Sequence, residues 1–199
     1  MKALINGWRK LWNNPELPFY YVQLAPFTYT RANNNREYQL PGIWQAQLAT
    51  LSVPHTGMAV TTDIAHLKDI HPKNKQDVGK RLALWALARN YGQKGLVYSG
   101  PLYLGHKIKG GQAQVSFTHT GTGLKSLDGK SLTHFEVASA DKKFVAAKAV
   151  ISGEQVVLSS DKVTAPVHVR FGWHETAEPN FGNQAGLPAS PFSSAFGKK

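Results

Sequence analysis

Apolar residues recur along this chain in two rhythms, and the change falls shortly after Gly92. Before it the spacing is helical or continuous. Leu4, Ile5, Trp8, Leu11 and Trp12 share one helical face over residues 3–12, which predicts a helix packed on a sheet. Asn13, Asn14 and Pro15 break that pattern. Leu17–Ala25 is a nearly continuous apolar run, the signature of a strand covered on both faces, with Gln23 as its polar exception. Thr28–Leu40, with Asn33, Asn34 and Asn35 in succession, predicts a loop near the opening of a site. Pro41–Leu51 carries Trp44, Leu48 and Leu51 at helical spacing, with Gln45 and Gln47 expected to be exposed or hydrogen-bonded. A second strand, Met58–Val60, turns polar at Thr61, Thr62 and Asp63. A long helix then follows from Pro72, a residue suited to the first helical position, to a stop at Gly92. Val78, Leu82, Trp85 and Ala86 form its predicted buried stripe. The order is helix, strand, helix, strand, helix: a right-handed βαβ unit with helices at either end. Two strands alone leave one sheet edge with unpaired backbone groups.

After Gly92 short alternating runs take over. Val115 and Phe117, Phe135 and Val137, Val145–Ile151, Val156–Leu158, and Val167 through Trp173 read as strands. Asp128-Gly129 is a hairpin signal, and Gly153 marks another turn. Closely spaced short strands predict a β-sandwich. The expected divisions are an α/β domain over 1–95, a β-sandwich-like domain over 96–178, and a tail over 179–199 lying extended on the surface. That tail can pack back on the first domain and line its cleft. Trp173 reads as core by alternation. With His174 and the Tyr103 region it is also the candidate carbohydrate contact of this half.

The candidate chemistry lies beyond the second strand. Sites in open α/β sheets form past the C-terminal ends of the strands. His71 falls in the loop there, and imidazole can take up and return a proton near neutral pH. Asp69 lies two residues before it and Asp63 at the strand end. Either carboxylate can orient the ring and steady its cation.

Composition narrows the alternatives. The 199 residues are 42% hydrophobic and 11% aromatic, as in globular proteins. The net charge of +11 invites a nucleic-acid reading, but the basic residues are scattered and accompany no nucleic-acid motif, so a solvated surface is expected. There is no cysteine, hence no disulfide and no thiolate chemistry. His55, His66 and His71 match no familiar zinc spacing, so neither metal nor cofactor is expected. No stretch approaches the ~20 apolar residues of a membrane span. Met1–Trp12 has no apolar core of signal-peptide length.

Several longer words carry a resemblance. GMAVTTDI, DIHPKNKQDVGKRLALWALARNYG, LPFYYVQLAPF (Leu17–Phe27) and PNFGNQAGLPASPF (Pro179–Phe192) resemble the sialate O-acetylesterase family. Its catalytic domain is an SGNH-type, flavodoxin-like parallel α/β fold, and its members are often exported. The resemblance runs from about Trp8 to Phe192. It implies hydrolysis of O-acetyl esters of sialic acids, or of other acetylated sugars such as xylan, through a serine nucleophile without a cofactor. His71 matches the family's base in its IHP word. Asp69 is the preferred acid, with Asp63 held open. The family's GQSN-type serine word and its WYQGESN-type word do not occur in these residues. The chain thus resembles the family's C-terminal part: a partial SGNH-type domain followed by a β-sandwich, supplying His and acid to a missing N-terminal half. The alternatives are a non-catalytic carbohydrate-binding or assembly piece, or one half of a split esterase.

Overall fold

The computed structural model describes residues 1–30 and 38–196. Asn33, Asn34 and Asn35 lie outside the described residues. The first half runs α1 (Lys2–Leu11), β1 (Phe19–Val22), α2 (Gln39–Thr50), β2 (Thr56–Ala59) and α3 (Lys75–Arg89). β1 and β2 pair in parallel, with Tyr20 opposite Gly57 and Tyr21 opposite Met58. Alternation along the strands sends these pairs to opposite faces. On one face Tyr21, Met58 and Val60 pack with Leu48 and Leu51 at the end of α2. On the other, Trp85 of α3 lies against Gly57. A β-carbon there would come within 2.5 Å of the indole and 2.7 Å of the Tyr20 ring, so a glycine is required. The indole N–H donates to the Met58 carbonyl at 3.0 Å.

The free edge of β1 is partly closed by a side chain. Gln47 of α2 accepts the Leu24 N–H through Oε1 and donates Nε2 to the Val22 carbonyl, both at 3.1 Å. The expectation for Gln47 was loose, exposed or hydrogen-bonded; it is buried and bonded to a strand edge. Trp44 continues the closure by donating to the Leu24 carbonyl at 2.7 Å.

Several local expectations need correction. β1 is not covered on both faces: Val22 and Leu24 are 37% and 41% exposed. The tryptophans of α1 do not pack on the sheet; Trp8 and Trp12 lean on each other at 4.7 Å and stay exposed. Ile5 and Arg9 form the buried side, because the Arg9 guanidinium satisfies the Leu17 and Pro54 carbonyls. α3 begins at Lys75 rather than Pro72. Asn74 caps it, accepting the Asp77 N–H at 3.1 Å, and a side-chain cap outweighs proline's passive fit.

The second half comprises β3 (Leu102–Lys109), β4 (Gln112–Thr118), β5 (Leu124–Ser126), β6 (Phe135–Ala138), β7 (Val145–Ala146), β8 (Lys148–Ser152), β9 (Gln155–Ser159), β10 (His168–Phe171), β11 (Phe181–Asn183) and β12 (Phe192–Ser193). Two four-stranded antiparallel sheets form, ordered β3-β4-β9-β8 and β12-β10-β6-β7, with β5 and β11 paired apart. The inward residues of both sheets join one apolar cluster that includes Val115, Val137, Val156, Leu158 and Val169. At its centre Phe171 meets Phe135 at 4.5 Å and Phe181 at 5.8 Å, while Phe192 stacks on Tyr103 at 4.3 Å. Val145–Ile151 reads as one run but serves both sheets: β7 pairs with β6 and β8 with β9. Gly153 (φ 59) makes the β8–β9 turn. Asp128-Gly129 turns the chain without making a hairpin, since β5 pairs with the distant β11.

The segment from Pro179 is extended but not superficial. Phe181, Asn183 and Phe192 are fully buried, and β11 and β12 complete the β-rich half. Aromatic residues carry it inward, and buried asparagines bond what the irregular backbone leaves open. Asn183 donates to the Ser99 and His119 carbonyls at 2.9 and 3.0 Å. The segment also crosses to the first half. Ser193 N–H donates to Gln45 Oε1 at 3.0 Å, and Ser190 Oγ accepts from Gln23 Nε2 at 3.0 Å.

Candidate active site

The chemistry-bearing residues gather past the C-terminal ends of β1 and β2. Val60, Thr61 and Thr62 leave β2 buried, and Thr61 Oγ1 donates to the Gln23 carbonyl at 3.0 Å, tying the strand ends together. Asp63 then meets Arg81 of α3. Nη1 and Nη2 donate to its two oxygens at 2.7 and 2.6 Å, and Nη1 also reaches the Val60 carbonyl at 2.6 Å. Both carboxylate oxygens of Asp63 are therefore engaged in a bidentate, charge-assisted pair.

His71 lies further along the same loop with its side chain 86% exposed. Asp69 Oδ1 accepts the His71 backbone N–H at 2.9 Å and stands 3.9 Å from Nδ1. That separation is ion-pair distance and longer than a hydrogen bond. The loop is closed by an internal turn and tied to the segment after β1. Asp69 N–H donates to the His66 carbonyl at 3.0 Å, and Thr28 N–H to the Leu67 carbonyl at 3.2 Å. The structure thus places Asp69 beside His71 and Asp63 on Arg81. A groove of about 250 Å³ runs beside this loop, lined by Val22, Gln23, Leu24, Thr61, Ile64 and Pro72.

Two supporting residues, Arg81 and Glu175, are not legible as such in the sequence; a third, Gln23, reads there as facing a pocket or as buried and hydrogen-bonded. Arg81 reads there as one of a basic group, yet its side chain is 10% exposed and clamps the strand end. Glu175 is 2% exposed and belongs to the β-rich half. Its carboxylate accepts the Thr30 N–H at 3.1 Å and the Thr30 hydroxyl at 2.6 Å, fixing the segment that holds the His71 loop. Gln23 is fully buried, with Nε2 donating to Ser190 Oγ at 3.0 Å and Oε1 without a partner among the described residues. The polar break in an apolar run was its signal. Among the described residues no group of three or more His, Asp or Glu is placed to hold a metal ion, and no helix is long and apolar enough to cross a membrane.

Comparison with known proteins assigns the arrangement to a class. The chain superposes on a carbohydrate acetylesterase from Xanthomonas citri with a TM-score of 0.92 and 40% identity, covering 98% of this chain and 45% of that one. The architecture, sheet-rich with three helices, is thus similar to that of a carbohydrate acetylesterase. No family model matches the sequence. A sialate O-acetylesterase of Rattus norvegicus is 35% identical over 117 residues, which is 50% of this chain and 21% of the relative. One of Pongo abelii is 26% identical over 215 residues, covering 96% of this chain and 40% of the relative. The chain is related to the sialate O-acetylesterase family and spans less than half the length of these relatives.

Proposed function

We propose that this chain supplies the general base and its orienting acid to a carbohydrate acetylesterase, with O-acetylated sialic acids or other acetylated sugars as substrates. In this reading 1–95 is the C-terminal part of an SGNH-type, flavodoxin-like parallel α/β domain. A β-sandwich spans 96–178, and the segment from 179 joins the two. The observation that carries the reading is His71: an accessible imidazole on an anchored loop past the ends of two parallel strands, with Asp69 Oδ1 3.9 Å from Nδ1. Asp69 is the better acid because it stands beside the His71 ring, whereas Arg81 holds Asp63 at the strand end.

The mechanism follows the general serine-esterase logic. His71 takes the proton of a serine hydroxyl as that oxygen attacks the acetyl carbonyl, then returns it to the departing sugar hydroxyl. Water repeats the sequence to release acetate and restore the serine. Asp69 holds the ring and steadies the imidazolium. The serine and the oxyanion donors come from polypeptide outside these residues, either the other part of the same protein or a separate subunit. The exposed outer side of β1 and the adjoining apolar groove are suited to receive further parallel strands.

Acetate release from O-acetylated sialic acid tests this. The 199-residue chain alone should release little or none. Mixed or fused with the family's serine-bearing half it should be active, and His71→Ala should then remove at least about a thousandfold of kcat. Robust release by the chain alone overturns the divided arrangement. Full activity of His71→Ala in the complete enzyme overturns the assignment of the base.

A further inference from the structure

A cavity of about 490 Å³ lies between the residue preceding α2 and the β6–β10 face, away from the groove beside the His71 loop. Cavities of this size hold small ligands. Its aromatic wall is Tyr38, 45% exposed, with its ring edge-on to His174 at 6.2 Å. Its polar wall is built around Arg170, which donates to Glu136 at 2.7 and 2.9 Å. The same guanidinium sits 5.1 Å from the Tyr38 ring and 4.2 Å from that of Phe144. Pairing and ring contacts together fix the Glu136 carboxylate in place and cancel the arginine's charge.

Two histidines complete the lining. His174 Nδ1 lies 2.8 Å from the Thr176 hydroxyl and 3.2 Å from the Thr176 backbone N–H, so Thr176 engages the Nδ1 side of the ring. His134 is held in the left-handed region, φ 62, and its carbonyl accepts the Gly172 N–H at 3.0 Å. Histidine is among the residues that adopt this conformation more readily, as His55 and His119 also do here. Burial, ahead of opposing effects from nearby carboxylates, pushes the His134 pKa below its ordinary value. At neutral pH its imidazole therefore offers one donor and one acceptor.

We propose that this cavity binds an uncharged pyranose ring, stacked on Tyr38, with its hydroxyls bonded to Glu136, His134 and His174. A pyranose has an apolar C–H face and a rim of hydroxyls that both donate and accept. The part of the Tyr38 ring that Arg170 leaves open suits the face; a fixed carboxylate and two imidazoles suit the rim. An acidic sugar fits less well, because Glu136 already neutralises Arg170 and would repel a ligand carboxylate. The site does not use His71, so it stands or falls independently of the esterase reading.

Saturation-transfer NMR on the 199-residue chain, with methyl β-galactoside, methyl β-glucoside and methyl β-xyloside at millimolar concentration, tests the proposal. At least one glycoside should receive saturation on its C–H face. Tyr38→Ala should weaken that binding about tenfold or more, while Tyr38→Phe, which keeps the ring, should retain it. His174→Ala should weaken it several-fold, and N-acetylneuraminic acid should show no Tyr38-dependent signal. Thermal unfolding checks that each variant is folded. No transfer to any of the three glycosides, unchanged binding by folded Tyr38→Ala, or Tyr38-dependent binding of the acidic sugar at equal strength would overturn the proposal.

Discussion

Phe171, Phe181 and Phe192 of the β-rich half are fully buried, whereas Leu4, Leu11 and Trp12 of α1 are 53%, 72% and 57% exposed. The β-rich half encloses a large aromatic and aliphatic cluster between its own sheets, with Leu104 and Val150 among the apolar side chains left outside. The α/β half buries a smaller group around Tyr21, Met58 and Val60, and leaves α1 and the outer side of β1 open. One half carries its stability in aromatic packing. The other carries it in a few polar clamps, Arg9, Gln47 and Arg81, on a thin sheet. Exposed apolar side chains on α1 and along the run that includes β1 suit a contact surface, which agrees with the proposal that further strands pack there.

Substitutions can break or sharpen this contrast. The largest effect is expected for Phe171→Ala, which opens a cavity beneath Phe135 and Phe181 and should cost about 3–5 kcal/mol in urea unfolding. A loss below about 1 kcal/mol would mean that the aromatic cluster is not the main support.

Arg81→Met should follow, at about 3 kcal/mol, because it strands the Asp63 carboxylate and the Val60 carbonyl without their donor. A neutral result would remove the polar clamp from the account of the α/β half.

His119 tests the contact between the halves through pH. Its ring lies 6.1 Å from Trp85 and 5.4 Å from Tyr98, and burial, reinforced by Arg89, lowers its pKa from the ordinary 6.5. The fold favours the neutral ring. The associated stability is therefore complete above pH 6.5 and is lost as pH falls through the depressed folded value. His119→Asn suits the positive φ of 58 and should flatten unfolding free energy against pH below 6.5. An unchanged slope would sink this assignment.

Leu11→Ala should be smallest, within about 0.5 kcal/mol, since that side chain is already in water. A cost comparable to that of Phe171→Ala would erase the contrast between the halves.

The sequence made some of this plain and hid the rest for identifiable reasons. Strand β2 and helix α3 were legible because their signals are local: an apolar run turning polar, then apolar positions at helical spacing. Arg81 was not, because nothing local says which cation of a basic group turns inward; its partner lies across the sheet end. Asp128-Gly129 announced a turn correctly but not the pairing around it, since β5 meets a strand more than fifty residues away. The Pro- and Gly-rich closing segment looked superficial because its composition is that of loops. Its burial is decided by where Phe181 and Phe192 find aromatic partners. In the candidate site His71 and its two neighbouring acids were readable from the loop. The allocation of Asp63 to Arg81, and the hold of Glu175 on the neighbouring segment, required the folded chain.

Gln47 sets a boundary on how this sheet can grow. Its carboxamide occupies the donor and acceptor positions at Val22 and Leu24 that an incoming strand would need. A neighbour can therefore zip along Phe19 to Tyr20 but must peel away before Leu24. Val22 and Leu24 also line the groove beside the His71 loop, so the glutamine that caps the strand edge keeps backbone pairing from extending along that wall.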